Sequence, residues 1–206
     1  MHPDPSATPP RASQNPGQIG LTKQQLRADV WERRAQRRDH AEADTLRTAH
    51  LLSLAADHST VGCFASVGDE PDTRGVLASL WDRGLAVLLP VLTGQREPAW
   101  AWCTGADDLA PGVRGIPEPR GARLGAPALG AASLIIIPAL LATRAGDRLG
   151  TGGGWYDRAL GHRAPDATVA AVLSEEEIVA TLPTEPWDLR VDVLVTEHGT
   201  HPTVAE

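Results

Sequence analysis

Hydrophobic positions change their spacing several times along the chain, and each change marks an element. From Thr22 to about Arg38 the spacing is helical: Leu26 and Val30 lie four apart on one face, and Lys23 and Arg27 lie four apart on another. Thr22 followed by Gln25 has capping-box spacing, in which each side chain satisfies a free backbone N–H, so order is predicted to begin there. A second helix is predicted over 42–57, ending in the apolar run Leu51, Leu52 and Leu54. Beyond it the pattern alternates. Val61–Val67 reads as a strand, Thr73–Arg83 as a helix stopped by Gly84, and Leu85–Val91 as a buried strand. Ala99–Cys103 reads as a short exposed strand, and residues 104–132, with many Gly and Pro, as loop. Leu134–Ile137 is an apolar strand, Tyr156–Leu160 opens a short helix, and Thr168–Leu173 and Val191–Thr196 complete the set.

Strand and helix in alternation predict an α/β fold: a single three-layer domain with a largely parallel central sheet flanked by helices. In such sheets ligands bind in crevices beyond the carboxyl ends of the strands. Residues 1–20 are rich in Pro, Ser, Gln, Gly and Asn, with four prolines in the first ten positions, and are expected to be a disordered tail. The domain is then expected over 21–200, with a short C-terminal tail at 201–206.

Composition narrows the function. The chain has 206 residues and a formal net charge of −7, with a pI of about 5.5, so a nucleic-acid partner is not expected. A small anion needs only a local cluster of cations and remains open. No segment approaches the ~18–20 apolar residues that span a membrane, and the N-terminus lacks a signal peptide's apolar region, so a cytoplasmic protein is expected. Cys63 and Cys103 form no C-x-x-C pair and read as reduced core or edge residues.

The most unusual stretch is Leu134–Arg158. A buried strand feeds a loop that sets Arg148 two residues before a turn containing Gly150, Gly152, Gly153 and Gly154, followed by Trp155, Tyr156 and Asp157 at a helix start. Glycines let backbone N–H groups converge on phosphate oxygens without Cβ in the way. Arg148 can fork onto a phosphate, and Asp157 offers a hard oxygen to Mg²⁺. No Gly-Lys-Ser/Thr ends the loop, so it is not a Walker A, and Trp155 stands where a dinucleotide fingerprint needs its last glycine.

This segment resembles the signature of 5-formyltetrahydrofolate cyclo-ligases, a strand followed by P-G-L-A-F-D and then G-x-R-L-G-x-G-x-G-Y-Y-D. Further segments agree in order. Lys23 and Arg27 resemble the family's opening K-x-x-x-R, Ser66–Thr73 its S-x-x-x-E-P-x-T, and Gly115–Pro119 its G-I-x-E-P. Leu182-Pro183 and Val191–Glu197 resemble its L-P and V-D-x-I-x-T-E, so the likeness runs over about 22–199. Two places differ: residues 138–143 read Pro-Ala-Leu-Leu-Ala-Thr, and Trp155 stands where Tyr is common.

The resemblance implies ring closure of 5-formyltetrahydrofolate to 5,10-methenyltetrahydrofolate with ATP as co-substrate and Mg²⁺ as cofactor. It implies ATP contacts from Lys23, Arg27, Arg148, Leu149, Gly150, Thr151, Gly152, Gly153, Gly154, Trp155 and Tyr156, with Arg148 and Lys23 stabilising charge in the reaction. It implies folate contacts from Glu70 and from Thr151 to Trp155, and magnesium ligands at Asp157 and Asp192. Arg33, Arg34, Arg37 and Arg38 are expected to be surface charges on a basic helix, and Glu175–Glu177 a helix-start charge run. Small-molecule substrates and a monomer are expected, with no membrane partner. The residues alone leave two alternatives open: a non-catalytic folate- or nucleotide-binding homologue, and a sugar-phosphate isomerase on a similar scaffold.

Overall fold

The computed structural model describes residues 21–37, 41–92, 94 and 96–204. The expected N-terminal tail and Arg38 lie outside the described residues. Helices α1 (Lys23–Gln36) and α2 (Ala41–Leu54) come first, then β1 (Thr60–Gly62), α3 (Arg74–Asp82), β2 (Ala86–Val91) and β3 (Ala99–Cys103). Short strands β4 (Leu109–Pro111), β5 (Pro117–Pro119) and β6 (Leu124–Gly125) precede the core strand β7 (Leu134–Pro138). Then come β8 (Leu141–Thr143), β9 (Arg148–Leu149), α4 (Trp155–Leu160), β10 (Thr168–Val172), β11 (Ile178–Val179), β12 (Val193–Thr196) and β13 (Gly199–Pro202).

Eight strands form the central sheet in the order β13-β12-β10-β7-β1-β2-β3-β6. The run from β12 to β2 is parallel, and the edges β13, β3 and β6 are antiparallel. The two-residue period of a strand explains the layers. Leu134 and Ile136 of β7 pack with Leu51, Val76, Leu77 and Leu80 from α2 and α3, while Ile135 and Ile137 pack with Leu129, Ala159 and Leu160 on the opposite face. Both faces are covered, which gives the expected three-layer α/β domain. Helix α1 is placed differently. Its apolar residues Leu26 and Val30 pack on Leu140, Leu141 and Leu149, beyond the carboxyl edge of the sheet.

Local rules account for most boundaries. The Thr22–Gln25 capping box is formed as expected. Gly84, at φ 75°, ends the α3 turn. Other expectations need correcting. β1 stops at Gly62, because beyond Cys63, whose N–H still reaches Leu88 O, the chain leaves the sheet. It is held instead by the Thr73 hydroxyl, which donates to Phe64 O at 2.7 Å and accepts from Ser66 N at 3.1 Å. β3 is not an exposed strand, since β6 pairs on its outer side and only Trp102 of its five residues is exposed. The stretch 104–132 holds β4, β5 and β6 as well as loop. The proposed boundary at 200 falls inside β13, whose pairing with β12 carries the ordered chain to Pro202. Cys63 and Cys103 are both free and buried.

Candidate functional site

A cavity of about 1010 Å³ opens at the carboxyl ends of β1, β2 and β7, where Phe64, Leu92, Pro138 and Ala139 leave the sheet. That volume reaches the upper end of the range for a single small-molecule site, so it has room for two substrates. The glycine turn forms one wall, α1 a second, and the loop from Phe64 to Glu70 a third.

The glycine turn is shaped by backbone that other residues resist. Gly152 has φ 101° and Gly154 φ 59°, and a Cβ at Gly152 would stand 3.1 Å from the Arg27 guanidinium carbon. Arg27 Nε donates to Gly150 O at 2.8 Å, tying α1 to the turn. Arg148 enters from β9 with its side chain only 5% exposed. One of its terminal nitrogens, Nη2, donates to Asp157 Oδ1 at 2.6 Å. The other, Nη1, is buried without a hydrogen-bond partner, as is Trp100 Nε1 among the described side chains. A buried guanidinium donor left open beside a glycine turn could bind an anion without breaking a bond inside the protein.

Lys23 lies at the start of α1 and pairs with Asp188 at 2.6 Å. Burial alone would raise the Asp188 pKa. The hydrogen bonds from Lys23 and the Glu185 N–H, with the charges of Lys23 and Arg148, outweigh it and hold the carboxyl below its usual range. Glu70 is half-buried and accepts the Val67 N–H at 3.0 Å. Burial pushes its pKa up, against the Val67 bond and the Arg34 charge. Tyr156 is pushed well above the usual phenol range, first by burial and then by the nearby Glu70 and Cys63. Trp155 packs edge-on against Trp100 at 5.1 Å and Tyr156 at 4.9 Å, so it is part core and part cleft wall.

The structure therefore brings Lys23, Arg27, Glu70, Arg148 to Tyr156, and Asp157 to one cleft. It does not bring Asp192. This residue immediately precedes β12, at the amino ends of the parallel strands, and its carboxylate accepts the Val169 N–H at 2.8 Å. A residue at that end lies across the sheet from a crevice at the carboxyl ends. Arg34 is a second correction: it is 1% exposed and forks onto Glu177, 2% exposed, at 2.8 and 2.9 Å. It also donates to Ala139 O at 2.8 Å. Arg37 pairs with Glu176 and Ser174, so of this group Arg33 alone is an exposed cation among the described residues. The changed stretch 138–143 contributes Pro138, Ala139 and Leu140 to the cleft, while Leu141 packs under α1.

Sequence reasoning missed Trp31, Phe64, Trp187 and Asp188 as lining residues. Trp31 follows Arg27 by four and so shares its helix face, a signal that was available. Asp188 had none, because its partner Lys23 is 165 positions away.

The profile of the 5-formyltetrahydrofolate cyclo-ligase family matches residues 20–197, which contain every lining residue of the cleft. The chain belongs to this family. Among its relatives, the 5-formyltetrahydrofolate cyclo-ligase of Mycolicibacterium smegmatis is 36% identical over 159 residues, covering 75% of this chain and 81% of the relative. That of Haemophilus influenzae is 28% identical, covering 84% and 97%. The NMR structure of Aquifex aeolicus 5,10-methenyltetrahydrofolate synthetase superposes with a TM-score of 0.76 at 24% identity, covering 89% of this chain and 93% of that one. The fold is thus the family's fold, with the glycine turn at the carboxyl edge of the sheet.

Proposed function

We propose that this chain closes the ring of 5-formyltetrahydrofolate to 5,10-methenyltetrahydrofolate while ATP becomes ADP and phosphate. The observation that carries this reading is the unpartnered, buried Nη1 of Arg148 beside the glycine turn, in a cleft with room for two substrates. Family membership supports the same activity.

The chemical problem is a poor leaving group. The formyl oxygen attacks the γ-phosphorus, and the bond to ADP breaks. N10 then attacks the activated formyl carbon and loses its proton, and phosphate departs with the former formyl oxygen. The protein's part is positioning and charge stabilisation. Arg148 Nη1 and the N–H groups of Gly150 to Gly154 would hold the transferring phosphoryl group. Arg27 and Lys23 would take the remaining phosphates, Lys23 exchanging Asp188 for them. Glu70 would accept from the N–H donors of the pterin, with Thr151 to Trp155 forming the facing wall.

A magnesium ion fits the cleft's donors. Among the described residues no group of three or more His, Cys, Asp or Glu side chains gathers. Mg²⁺ asks for less: one or two carboxylates, with phosphates and waters completing its shell. Asp157 would supply the oxygen, since only its Oδ1 is engaged, by Arg148 and the Leu189 N–H. The ion would neutralise phosphate charge. A monomer is the proposed state. No described helix is long and apolar enough to cross a membrane.

The test is direct. The protein is mixed with 5-formyltetrahydrofolate, ATP and Mg²⁺, and methenyltetrahydrofolate is followed by its absorbance. Product is expected only when ATP is present. Product without ATP, or binding of both substrates without product, would overturn the reading.

A further inference from the structure

Trp187 has no role so far and stands in an unusual place. It is 67% exposed, a large apolar side chain left in water, yet it lines the cleft. Unlike Trp155, it makes no ring contact among the described residues. It does not hang from a slack loop. Asp188 Oδ2 accepts the Glu185 N–H at 2.9 Å, and the Asp188 N–H reaches Glu185 O at 3.0 Å, closing the turn on both sides of Trp187. Lys23 pins that turn to α1, and the Leu189 N–H pins it to Asp157 beside the glycine turn. A flat ring is therefore presented from a tied position at the cleft mouth.

Its place relative to the other groups says what it faces. Helix α1 lays Lys23, Arg27 and Arg34 along the cleft, a span of about 16 Å at the helical rise. Lys23 meets Asp188 and hence the Trp187 turn; Arg27 meets Gly150 and the glycine turn. Arg34 is at the far end, where its charge is felt by Glu70. With the reacting pterin at Glu70 and the phosphates at the glycine turn, Arg27 and Lys23, the base of the nucleotide comes to the Trp187 turn next to Lys23.

The geometry points to Trp187 as the stacking platform for the base of the nucleoside triphosphate, and so as a residue that sets nucleotide affinity and base preference. This rests on the two-substrate reading above. Its physics is the stacking of a base on an aromatic face, favoured most by the larger purine ring. Phosphate affinity lies elsewhere, on Lys23, Arg27, Arg148 and the glycine turn, so the two contributions separate.

The experiment measures equilibrium binding of ADP and of inorganic tripolyphosphate, with Mg²⁺, to the full chain and to Trp187→Ala and Trp187→Phe. Because Trp187 is mostly in water, Trp187→Ala is expected to melt with the parent. Trp187→Ala should weaken ADP about tenfold and leave tripolyphosphate within twofold, and Trp187→Phe should keep ADP within about threefold. In ring-closure assays Trp187→Ala should raise KM for ATP by a similar factor and leave KM for 5-formyltetrahydrofolate unchanged. Unaltered ADP binding, or equal weakening of ADP and tripolyphosphate, overturns the platform. Wild-type protein that binds ADP but forms no product strikes the ring-closure reading instead, and leaves the binding comparison to decide on Trp187.

Discussion

Two arginine–carboxylate pairs are built from the same groups and end up differently connected. Arg34 and Glu177 form a fork of two hydrogen bonds, with the Ala139 carbonyl taking a third, and no buried Arg34 donor is left without a partner. Arg148 and Asp157 form a single contact at 2.6 Å, and Arg148 Nη1 is left buried and open. The two guanidiniums are similarly buried, at 1% and 5% exposed, so burial of the arginine does not tell the pairs apart. What does is the donor left over. The closed network ties α1 to Glu177 and to the chain leaving β7, and the open one leaves a donor that we propose serves a ligand.

The sharpest way to break this contrast is to remove Arg34. Arg34→Ala leaves Glu177 buried with the longer Arg37 contact, at 3.8 Å, as its cation partner, and losing one partner of a buried pair costs about 3–5 kcal/mol. Denaturant unfolding should show that loss. The double variant Arg34→Met, Glu177→Leu should recover most of it, because it removes both charges together. A single variant as stable as the parent would show that the pair is not closed in solution.

Arg148→Ala should do the reverse. Removing a preorganised donor from a developing charge lowers turnover by roughly 100- to 1,000-fold. Unfolding should shift less than for Arg34→Ala, since Asp157 is 26% exposed and keeps the Leu189 N–H. An activity loss matched by an equal stability loss would put Arg148 in the same class as Arg34.

How far the sequence alone reveals this contrast depends on the range of each cause. The α1 start was legible because a capping box acts over three residues. The glycine turn was legible because φ values such as that of Gly152 demand glycine locally. The sheet was legible from alternating strand and helix patterns, and β7 shows why, with each successive residue buried on the opposite face. Arg34 was not legible. It sits beside exposed Arg33 in a basic helix, and the carboxylate that buries it lies 143 positions away. Asp192 misled for a related reason: a motif position carries no information about which end of a parallel strand faces the cleft. β13 was missed because an antiparallel edge strand of Gly, Thr, His and Pro has no hydrophobic alternation.

A smaller effect tests the link between α1 and the open pair. Gly152→Ala adds a methyl at φ 101° and 3.1 Å from the Arg27 guanidinium. Strain of this kind costs about 1–3 kcal/mol, and here it falls on the turn and on the Arg27–Gly150 contact. KM for ATP should rise roughly tenfold, with kcat reduced less than in Arg148→Ala. An unchanged KM would mean that Arg27 and the turn move independently.

The smallest effect is a pH dependence at Glu70, which belongs to neither pair but lines the same cleft as Arg34, Arg148 and Asp157. Burial raises its pKa above that of the unfolded chain, where a glutamate titrates near ~4.3. A raised native pKa means that the folded state holds the proton more tightly. The linked stability is then fully present below the unfolded value and is lost as pH rises through the native one. Wherever Glu70 is ionised, its burial is therefore a cost to folding. Glu70→Gln should match or slightly exceed the parent's stability at pH 7, and the difference should vanish under acid conditions. Its KM for 5-formyltetrahydrofolate should rise and lose its dependence on pH, while the parent's should rise as pH falls through the raised pKa. A Gln variant that is less stable at neutral pH would show that the carboxylate is held by bonds worth more than its burial, and the site would then resemble Arg34–Glu177 rather than Arg148–Asp157.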